Sequence, residues 1–262
     1  MSTSVKSRAP RALPKFGGFS LGMIRLELRR MMRNKRTVIF TFVMPAVFFL
    51  LFGTGSDART ERVGGGNVTG YILVSMAVYG AMLATTSGGA MVSVERAAGW
   101  SRQLRLTPLK PVAYIAVKLV LAMIIGLVSV VVAFAVGAAS GAELPAHAWL
   151  ECGLLGWVCA LVFAAFGLFM GYLLPSENVM QILGPVLGVL SFAGGLFVPV
   201  DNLGHTFATI AKFTPVYGVG EIARYPLTQD GNLWLAALNV VVWTTIFSAG
   251  AIWRFRRDTA RV

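Results

Sequence analysis

Two charged residues stand inside otherwise apolar stretches and are the first candidates for chemistry. Lys118 lies in the run 112–137, and Glu151 lies at the start of the run 149–174. A charge at the centre of a membrane costs about 2.5–3.5 kcal/mol on insertion scales. Both residues are near an end of their run, where a long side chain can reach the headgroups. We therefore predict an interfacial position for both and keep a substrate or proton role as the alternative.

Patterns that carry catalysis or metal binding are missing from the sequence. No G-x-x-x-x-G-K-[ST] loop is present to hold nucleotide phosphates, and no HExxH or EF-hand pattern occurs. Cys152 and Cys159 share one predicted helix, about 10 Å apart along its axis, which is too far for a disulfide. His147 and His205 complete no ligand pattern with them. We predict that the chain by itself is not an enzyme and binds no metal or cofactor.

The composition is that of a membrane protein. Hydrophobic residues make up 56% of the 262 residues and charged residues only 13%, whereas about 25% of residues are charged in soluble domains. The net charge of +12 could suggest nucleic acid. The basic residues lie beside apolar runs, however, so they predict contacts with anionic lipid headgroups and no nucleic-acid partner.

Six apolar runs have a length suited to crossing a membrane, at 37–53, 71–94, 112–137, 149–174, 179–198 and 233–253. Pro45 interrupts the first run and Pro185 the fifth, which is tolerated where neighbours bond the freed carbonyl groups. Three small-residue pairs at close-packing spacing predict contacts within the bundle or between two copies: Gly137 and Gly141, Gly167 and Gly171, Gly184 and Gly188. We predict an all-α polytopic membrane protein with six transmembrane helices.

The segments before and after the spans are basic. Residues 1–19 are predicted to be a disordered tail, and residues 20–36 an amphipathic helix with Ile24, Leu28 and Met31 in one stripe and arginines in another. That helix is expected in the headgroup plane, or against a partner protein. The membrane domain then covers 37–253, and 254–262 form a second tail.

The distribution of Lys and Arg predicts the orientation. The segment before the first span, the segment 95–111 and the last tail carry ten, four and four, and the three alternate loops carry two, none and two. Because basic loops stay on the cytoplasmic side, both termini and 95–111 are predicted to be cytoplasmic.

Two segments between spans contain short predicted helices. Segment 95–111 is one basic helix stopped by Pro108 and Pro111, suited to docking a cytoplasmic partner or, alternatively, a solvated loop. Segment 199–232 holds two short apolar helices broken at Thr214 and Pro215. These read either as re-entrant helices or as an outer loop on the headgroups.

The segment 95–111 resembles the coupling region of type-2 ABC exporter permeases, whose pattern E-R/K-x-x-G-T-L-E-x-L-x-x-T-P it follows at six positions: Glu95, Arg96, Gly99, Leu104, Thr107 and Pro108. Arg102 stands where the family pattern has an acid. The run Gly194-Gly195-Leu196-Phe197-Val198-Pro199, followed by Pro215 and Tyr217, is similar to the family's G-x-x-x-P…P-x-x-Y segment, where its members carry re-entrant helices. Within the family the chain looks most similar to the daunorubicin-resistance-like type, which exports drugs and antibiotics.

The resemblance implies a half-transporter in the bacterial plasma membrane. Two copies of a separate ATPase would bind ATP and Mg²⁺, and a second permease copy, identical or a sister chain, would complete the pathway. It also implies that the amphipathic segment 20–36 is a connecting helix. The residues implied to couple to the ATPase are Glu95, Arg96, Gly99, Trp100, Arg102, Leu104, Arg105, Thr107 and Pro108.

The family's cavity is lined by the first, second and fifth spans, which implies a set of aromatic and Met candidates: Phe42, Phe49, Met76, Tyr79, Met82, Phe192 and Phe197. Such walls suit a hydrophobic or amphipathic drug, antibiotic or peptide. For any one residue the alternative is packing or lipid contact. Export of a lipid or lipid-linked glycan, and an ATP-independent carrier, remain alternative functions.

Overall fold

The fold is helical with one very short hairpin. The computed structural model describes residues 21–99, 111–200 and 204–260. Its helices are α1 (Leu21–Met32), α2 (Lys35–Val38), α3 (Met44–Gly53), α4 (Ser56–Thr60), α5 (Val68–Ala97), α6 (Pro111–Ala139), α7 (Ala146–Cys159), α8 (Leu161–Leu173), α9 (Ser176–Ala193), α10 (His205–Ala211), α11 (Pro215–Thr228) and α12 (Leu233–Ala260). A π-helical turn, Ile39–Val43, joins α2 to α3. The strands β1 (Arg62–Val63) and β2 (Gly66–Asn67) pair antiparallel, with Arg62 opposite Asn67.

Four helical stretches of the described residues are long and apolar enough to cross a membrane: Val68–Ala97, Ala113–Ala139, Ala146–Leu173 and Leu233–Arg257. They coincide with the second, third, fourth and sixth predicted spans. The first predicted span is a shorter apolar helix, Thr41–Gly53. The fifth corresponds to α9, an 18-residue helix outside the four. The prediction of a multi-pass helical membrane protein is confirmed.

Helix α5 is the centre of the bundle. Its side chains are buried on nearly every face, and it packs against α6 and α8 along most of its length. Glycines permit this close approach, because a Cβ on Gly167 of α8 would lie 2.1 Å from the carbonyl oxygen of Thr86 in α5. A Cβ on Gly89 would likewise lie 2.5 Å from the carbonyl oxygen of Ala164. The packing predicted for Gly167 is confirmed within the chain.

The other predicted glycine pairs take different positions. Gly137 of α6 lies against the side chain of Leu73, whereas Gly141 occupies a turn with a φ of +88° that favours glycine. Gly184 and Gly188 of α9 have nothing within 4 Å of the position that a Cβ would take. They make no close helix contact with the residues that the structure describes.

Pro45 is accommodated by a partner from a neighbouring helix. Proline lacks the N–H that would bond the carbonyl four residues earlier, at Thr41. The hydroxyl of Ser129 in α6 donates to that carbonyl at 2.9 Å. Gly80 of α5 leaves room for both residues, since a Cβ there would lie 2.5 Å from the Ser129 Oγ and 3.1 Å from Pro45. The compensation expected for this proline is confirmed.

Helix α1 packs on the bundle. Ile24 is buried against Val117 and Leu121 of α6, and Leu28 lies beside them. Leu26 remains 71% exposed on the other side. The apolar stripe predicted from the sequence therefore faces another helix of the same chain, and the headgroup plane or a partner protein is not needed to cover it.

The bundle has two ends that organise the functional residues. The α1 end holds α1, the last turn of α5, the first turns of α6 and the last turn of α8. The hairpin end holds β1, β2, the first turn of α5 and the last turn of α11, where Gly65 N–H donates to the carbonyl of Leu227.

Asn67 ties the loops of the hairpin end together. It caps α5 by accepting from Gly70 N–H at 2.8 Å, and it also accepts from Glu143 N–H. Its amide donates to the carbonyl groups of Arg59 and Gly141. Asn67 is completely buried, and its role is that of a structural cap.

Candidate functional site

A cluster of charges is buried at the α1 end and is called the charged junction here. Its members come from three helices: Glu27, Arg30, Glu95, Tyr114 and Lys118. Lys118 Nζ lies 2.5 Å from Glu95 Oε1 and 3.4 Å from Glu27 Oε2. The Tyr114 hydroxyl donates to Glu95 Oε2. Arg30 Nη1 lies 3.9 Å from Glu27 and 4.0 Å from Glu95.

The charged junction overturns the prediction for Lys118. Its side chain is only 4% exposed, and that of Glu95 is 5% exposed, so Lys118 does not reach the headgroups as expected. The cost of burying either charge alone is several kcal/mol. The two carboxylates share Lys118, and Arg30, whose side chain is 59% exposed, lies at the edge of the cluster. Glu151, by contrast, is exposed at the start of α7, in agreement with its prediction.

The junction joins parts of the chain that are far apart in sequence. Glu95 stands in the last turn of α5, directly before the segment 100–110, and Lys118 stands in the second turn after it. Glu27 belongs to α1 and is the only acidic residue of the first 36 residues. A single acidic residue among arginines was the sequence signal that could have predicted a buried cationic partner for Glu27.

Arg96 fixes the same turn of α5 to a different helix. Its Nη1 donates to the carbonyl oxygens of Gly171 and Tyr172 at 3.2 and 3.0 Å. Its guanidinium carbon lies 5.5 Å from the centre of the Tyr172 ring. These two carbonyl groups lie in the last turn of α8. A cation is favoured there because the last carbonyl groups of a helix have no N–H partner within it and the helix dipole is negative at that end. Glu95 and Arg96 thus anchor the end of α5 to α1, α6 and α8.

The rest of the predicted coupling segment lies outside the described residues. This applies to Trp100, Arg102, Leu104, Arg105, Thr107 and Pro108. Gly99 is described and has a φ of +73°, in the left-handed region that favours glycine. A glycine at this position of the motif lets the chain leave α5 in a new direction.

The predicted cavity residues are mostly packed inside the chain. Five are buried, with relative exposures of 8% or less: Phe42, Phe49, Met76, Tyr79 and Met82. Phe192 is 45% exposed on α9. The Phe197 ring lies 5.0 Å from the Tyr79 ring, and Phe48 lies 6.2 Å from each of them.

The structure therefore brings only Tyr79 and Phe197 of the predicted set into an aromatic cluster, with Phe48 as a member that the sequence did not single out. Phe42 packs with Ala84 and Ile125, and Phe49 with Leu73 and Met76. A substrate would have to displace these contacts or bind elsewhere.

Another buried charge lies at the hairpin end. From the sequence it counted only as a basic residue of a loop. Arg224 of α11 is 2% exposed. Its Nη1 donates to Gly195 O at 2.9 Å and to Ser75 Oγ at 3.2 Å, and its Nη2 donates to Glu221 Oε1 at 2.9 Å. Its guanidinium carbon lies 4.9 Å from the centre of the Tyr71 ring. An acid three residues before an arginine in an apolar helix was the available signal.

The described residues hold no group of three or more His, Cys, Asp or Glu side chains that could bind a metal ion. Cys152 and Cys159 are both free, as predicted from their separation.

Comparison with known proteins gives matches over most of the chain. Residues 21–227 match the family model described as ABC-2 type transporter. The chain is also 27% identical over 227 residues to the Bacillus subtilis (strain 168) protein called "Putative transport permease YvfS", a match that covers 84% of this chain and 90% of that protein. The match includes the end of α5 and the start of α6, where the charged junction lies. The chain belongs to the ABC-2 type transporter family.

Proposed function

We propose that the chain is the membrane-spanning permease subunit of an ATP-driven exporter. Family membership and the similarity to a protein named as a transport permease support a transport role. The sequence lacks a phosphate-binding loop of the Walker type, so the proposal assigns ATP and Mg²⁺ to a separate ATPase, present in two copies. A second permease chain completes the transporter.

The proposed orientation has six spans and both termini in the cytoplasm of a bacterial cell. The α1 end is the cytoplasmic end, since the segments there carry 18 Lys and Arg residues and the loops of the hairpin end carry four. Helix α3 and helix α9 serve as the two shorter spans. Helices α10 and α11 are proposed as re-entrant, which for α11 is supported by the burial of Val216, Val219 and Ala223 among protein.

The single observation that carries the mechanism is the charged junction at the base of the segment 95–111. Glu95 binds Lys118 and Tyr114, and Arg96 binds the end of α8. A movement imposed on the segment by an ATPase would therefore be passed to α5, α6, α8 and α1 together. Two conformations of the spans can be exchanged in this way when ATP binding favours one of them.

The proposed substrate class is a hydrophobic or amphipathic compound, such as a drug, antibiotic or peptide, as in daunorubicin-resistance-like exporters. The support is chemical. Aromatic and Met side chains form the contact between α3, α5 and the turn after α9, and such side chains adapt to bulky apolar ligands.

Purification from native membranes tests the function. A tag on the chain is expected to retain an ATPase subunit, and the complex in proteoliposomes is expected to move a fluorescent amphipathic amine only when ATP and Mg²⁺ are added. Movement without any ATPase subunit would refute the ATP-driven mechanism. The same vesicles without the chain give the background.

A variant in the coupling segment separates hydrolysis from transport. We expect Leu104→Arg to leave ATP hydrolysis by the complex in place and to reduce transport per ATP at least tenfold, because it places a charge in the docking segment. Asp57→Arg, which changes an exposed residue at the hairpin end, is the matched control and should leave coupling unchanged. Normal coupling in Leu104→Arg would contradict the docking role.

A further inference from the structure

Arg224 joins three parts of the chain that meet at the hairpin end. Its partners are Ser75 in α5, Gly195 in the turn after α9, and Glu221 in its own helix α11. Glycines bring these parts close together. A Cβ on Gly194 would lie 2.5 Å from the Cβ of Val216 in α11, and one on Gly220 of α11 would lie 3.2 Å from Cδ2 of Leu196 in the turn after α9.

The same two backbone segments carry the Tyr79–Phe197 contact. Ser75 precedes Tyr79 by four residues in α5, so both side chains lie on the same face of that helix. Gly195 precedes Phe197 by two residues, in a turn where the φ of Gly195 is +79°. Arg224 is thus bonded to α5 one turn from Tyr79, and to the turn two residues from Phe197. The rings themselves are 5.0 Å apart.

We propose that Arg224 is a positioning residue that keeps the Tyr79–Phe197 contact closed on its hairpin side. While Arg224 bridges Ser75 and the Gly195 carbonyl, α5 and the turn cannot separate, and the two rings stay together. When the bridge opens, the rings part and the space between α5 and the turn opens towards the hairpin end. A role of this closure in substrate release rests on the proposed function. The closure itself does not.

Arginine suits this position because its planar guanidinium can bond several acceptors in different directions at once. Glu221 supplies a counter-charge with a side chain that is 21% exposed, so it remains near water when the bridge to Ser75 and Gly195 opens. Tyr71 covers the guanidinium face. The charge therefore keeps a partner in the open arrangement as well.

The test is the rate at which a cysteine at the contact reacts with a maleimide that cannot cross membranes. Leu196→Cys, at a buried position next to Phe197 that leaves both rings in place, is built in a chain with Cys152→Ala and Cys159→Ala. Asp230→Cys, in an exposed turn of the hairpin end, identifies the side to which the reagent is added. Ser75→Ala removes one acceptor from the bridge. Arg224→Gln removes the guanidinium that donates to both acceptors. Arg62→Gln breaks the exposed ion pair with Glu143 at the same end and is the matched control.

We expect labelling at Leu196→Cys to rise about 5-fold with Ser75→Ala, the factor that corresponds to one net hydrogen bond. It should rise at least about tenfold with Arg224→Gln, because bonds from a charged donor are stronger. Arg62→Gln should leave the rate unchanged. If Arg224 only stabilised the fold, the labelling rate would not show this graded, local change in protein that keeps its melting temperature.

Unchanged labelling in both Ser75→Ala and Arg224→Gln would overturn the proposal. If Arg224→Gln fails to fold, Ser75→Ala, which leaves no buried charge without a partner, decides by itself. The labelling needs no ATP and no partner subunit. A chain that shows the graded labelling but retains no ATPase would therefore refute the exporter function and leave the closure by Arg224 in place.

Discussion

At the scale of single residues, the buried charges carry most of the functional information. Lys118 is a cation in an apolar run, and Glu95 is the first residue of the coupling motif. The structure places them 2.5 Å apart with Glu27 and Tyr114 beside them. A buried ion pair of this kind is costly to break, since the remaining charge has no water to solvate it.

Breaking the pair on one side should destabilise the chain more than removing both charges. We expect Lys118→Met to lower the free energy of unfolding by about 3–5 kcal/mol, because Glu95 and Glu27 lose their shared cation. Lys118→Met combined with Glu95→Gln should recover most of this loss. Denaturant titrations of the purified chain in one detergent measure the difference, and additive losses in the double variant would show that the two side chains do not interact.

At the scale of elements, glycine decides how closely α5 and α8 approach. The Cβ that an alanine would add to Gly167 falls 2.1 Å from a backbone oxygen of α5, and backbone cannot yield as a flexible side chain can. Gly188 of α9 belongs to the same sequence pattern but has open space around it. Sequence spacing alone does not distinguish the two.

Substituting these two glycines should therefore have opposite results. Gly167→Ala is expected to cost about 1–3 kcal/mol by overpacking the α5–α8 contact. Gly188→Ala, the matched control, is expected to be neutral or to stabilise the isolated chain by about 0.5–1 kcal/mol, because alanine is favoured over glycine inside a helix. Melting temperatures of both variants in the same detergent check this. Equal destabilisation would contradict the assigned contact.

At the scale of the whole molecule, the two ends differ in charge and in kind of structure. The α1 end carries the basic segments, and the hairpin end carries the loops tied by Asn67 and the buried Arg224. Helix α12, between them, exposes many large apolar residues, including Trp234 at 87% and Trp253 at 51%. Exposed tryptophans near both ends of one helix are typical of the two membrane interfaces.

Reporter fusions should reveal this polarity. A fluorescent protein fused after Val262 is expected to fluoresce, because this reporter folds in the cytoplasm. Alkaline phosphatase fused after Asp230 is expected to be active, because this enzyme folds only outside the cytoplasm. The reverse pattern would overturn the orientation proposed from the basic residues. Fusions after Glu143 provide an independent second point at the hairpin end.

Much of the fold followed from local patterns. Long apolar runs predicted the four long helices, basic and apolar periodicity predicted α1, and Thr214-Pro215 predicted the start of α11, where the Thr214 hydroxyl caps the helix. The candidate site was less accessible. Glu95 and Arg96 were identified through their motif, whereas Glu27, Tyr114, Phe48 and Arg224 were not, because their roles depend on partners distant in sequence.

The sequence by itself determined that this is a helical membrane protein of a recognisable family, since composition, span length and motif order are properties of the chain taken locally. Only the tertiary structure decided which charges are buried together and which glycines are contacts. The sequence around Lys118 is the same whether its side chain reaches the headgroups or pairs with Glu95. The sequence around Arg224 is that of a loop charge, and only the positions of Ser75 and Gly195 show that it is a buried bridge. The physical reason is that the energy of a buried polar group depends on what surrounds it, and those surroundings come from other helices.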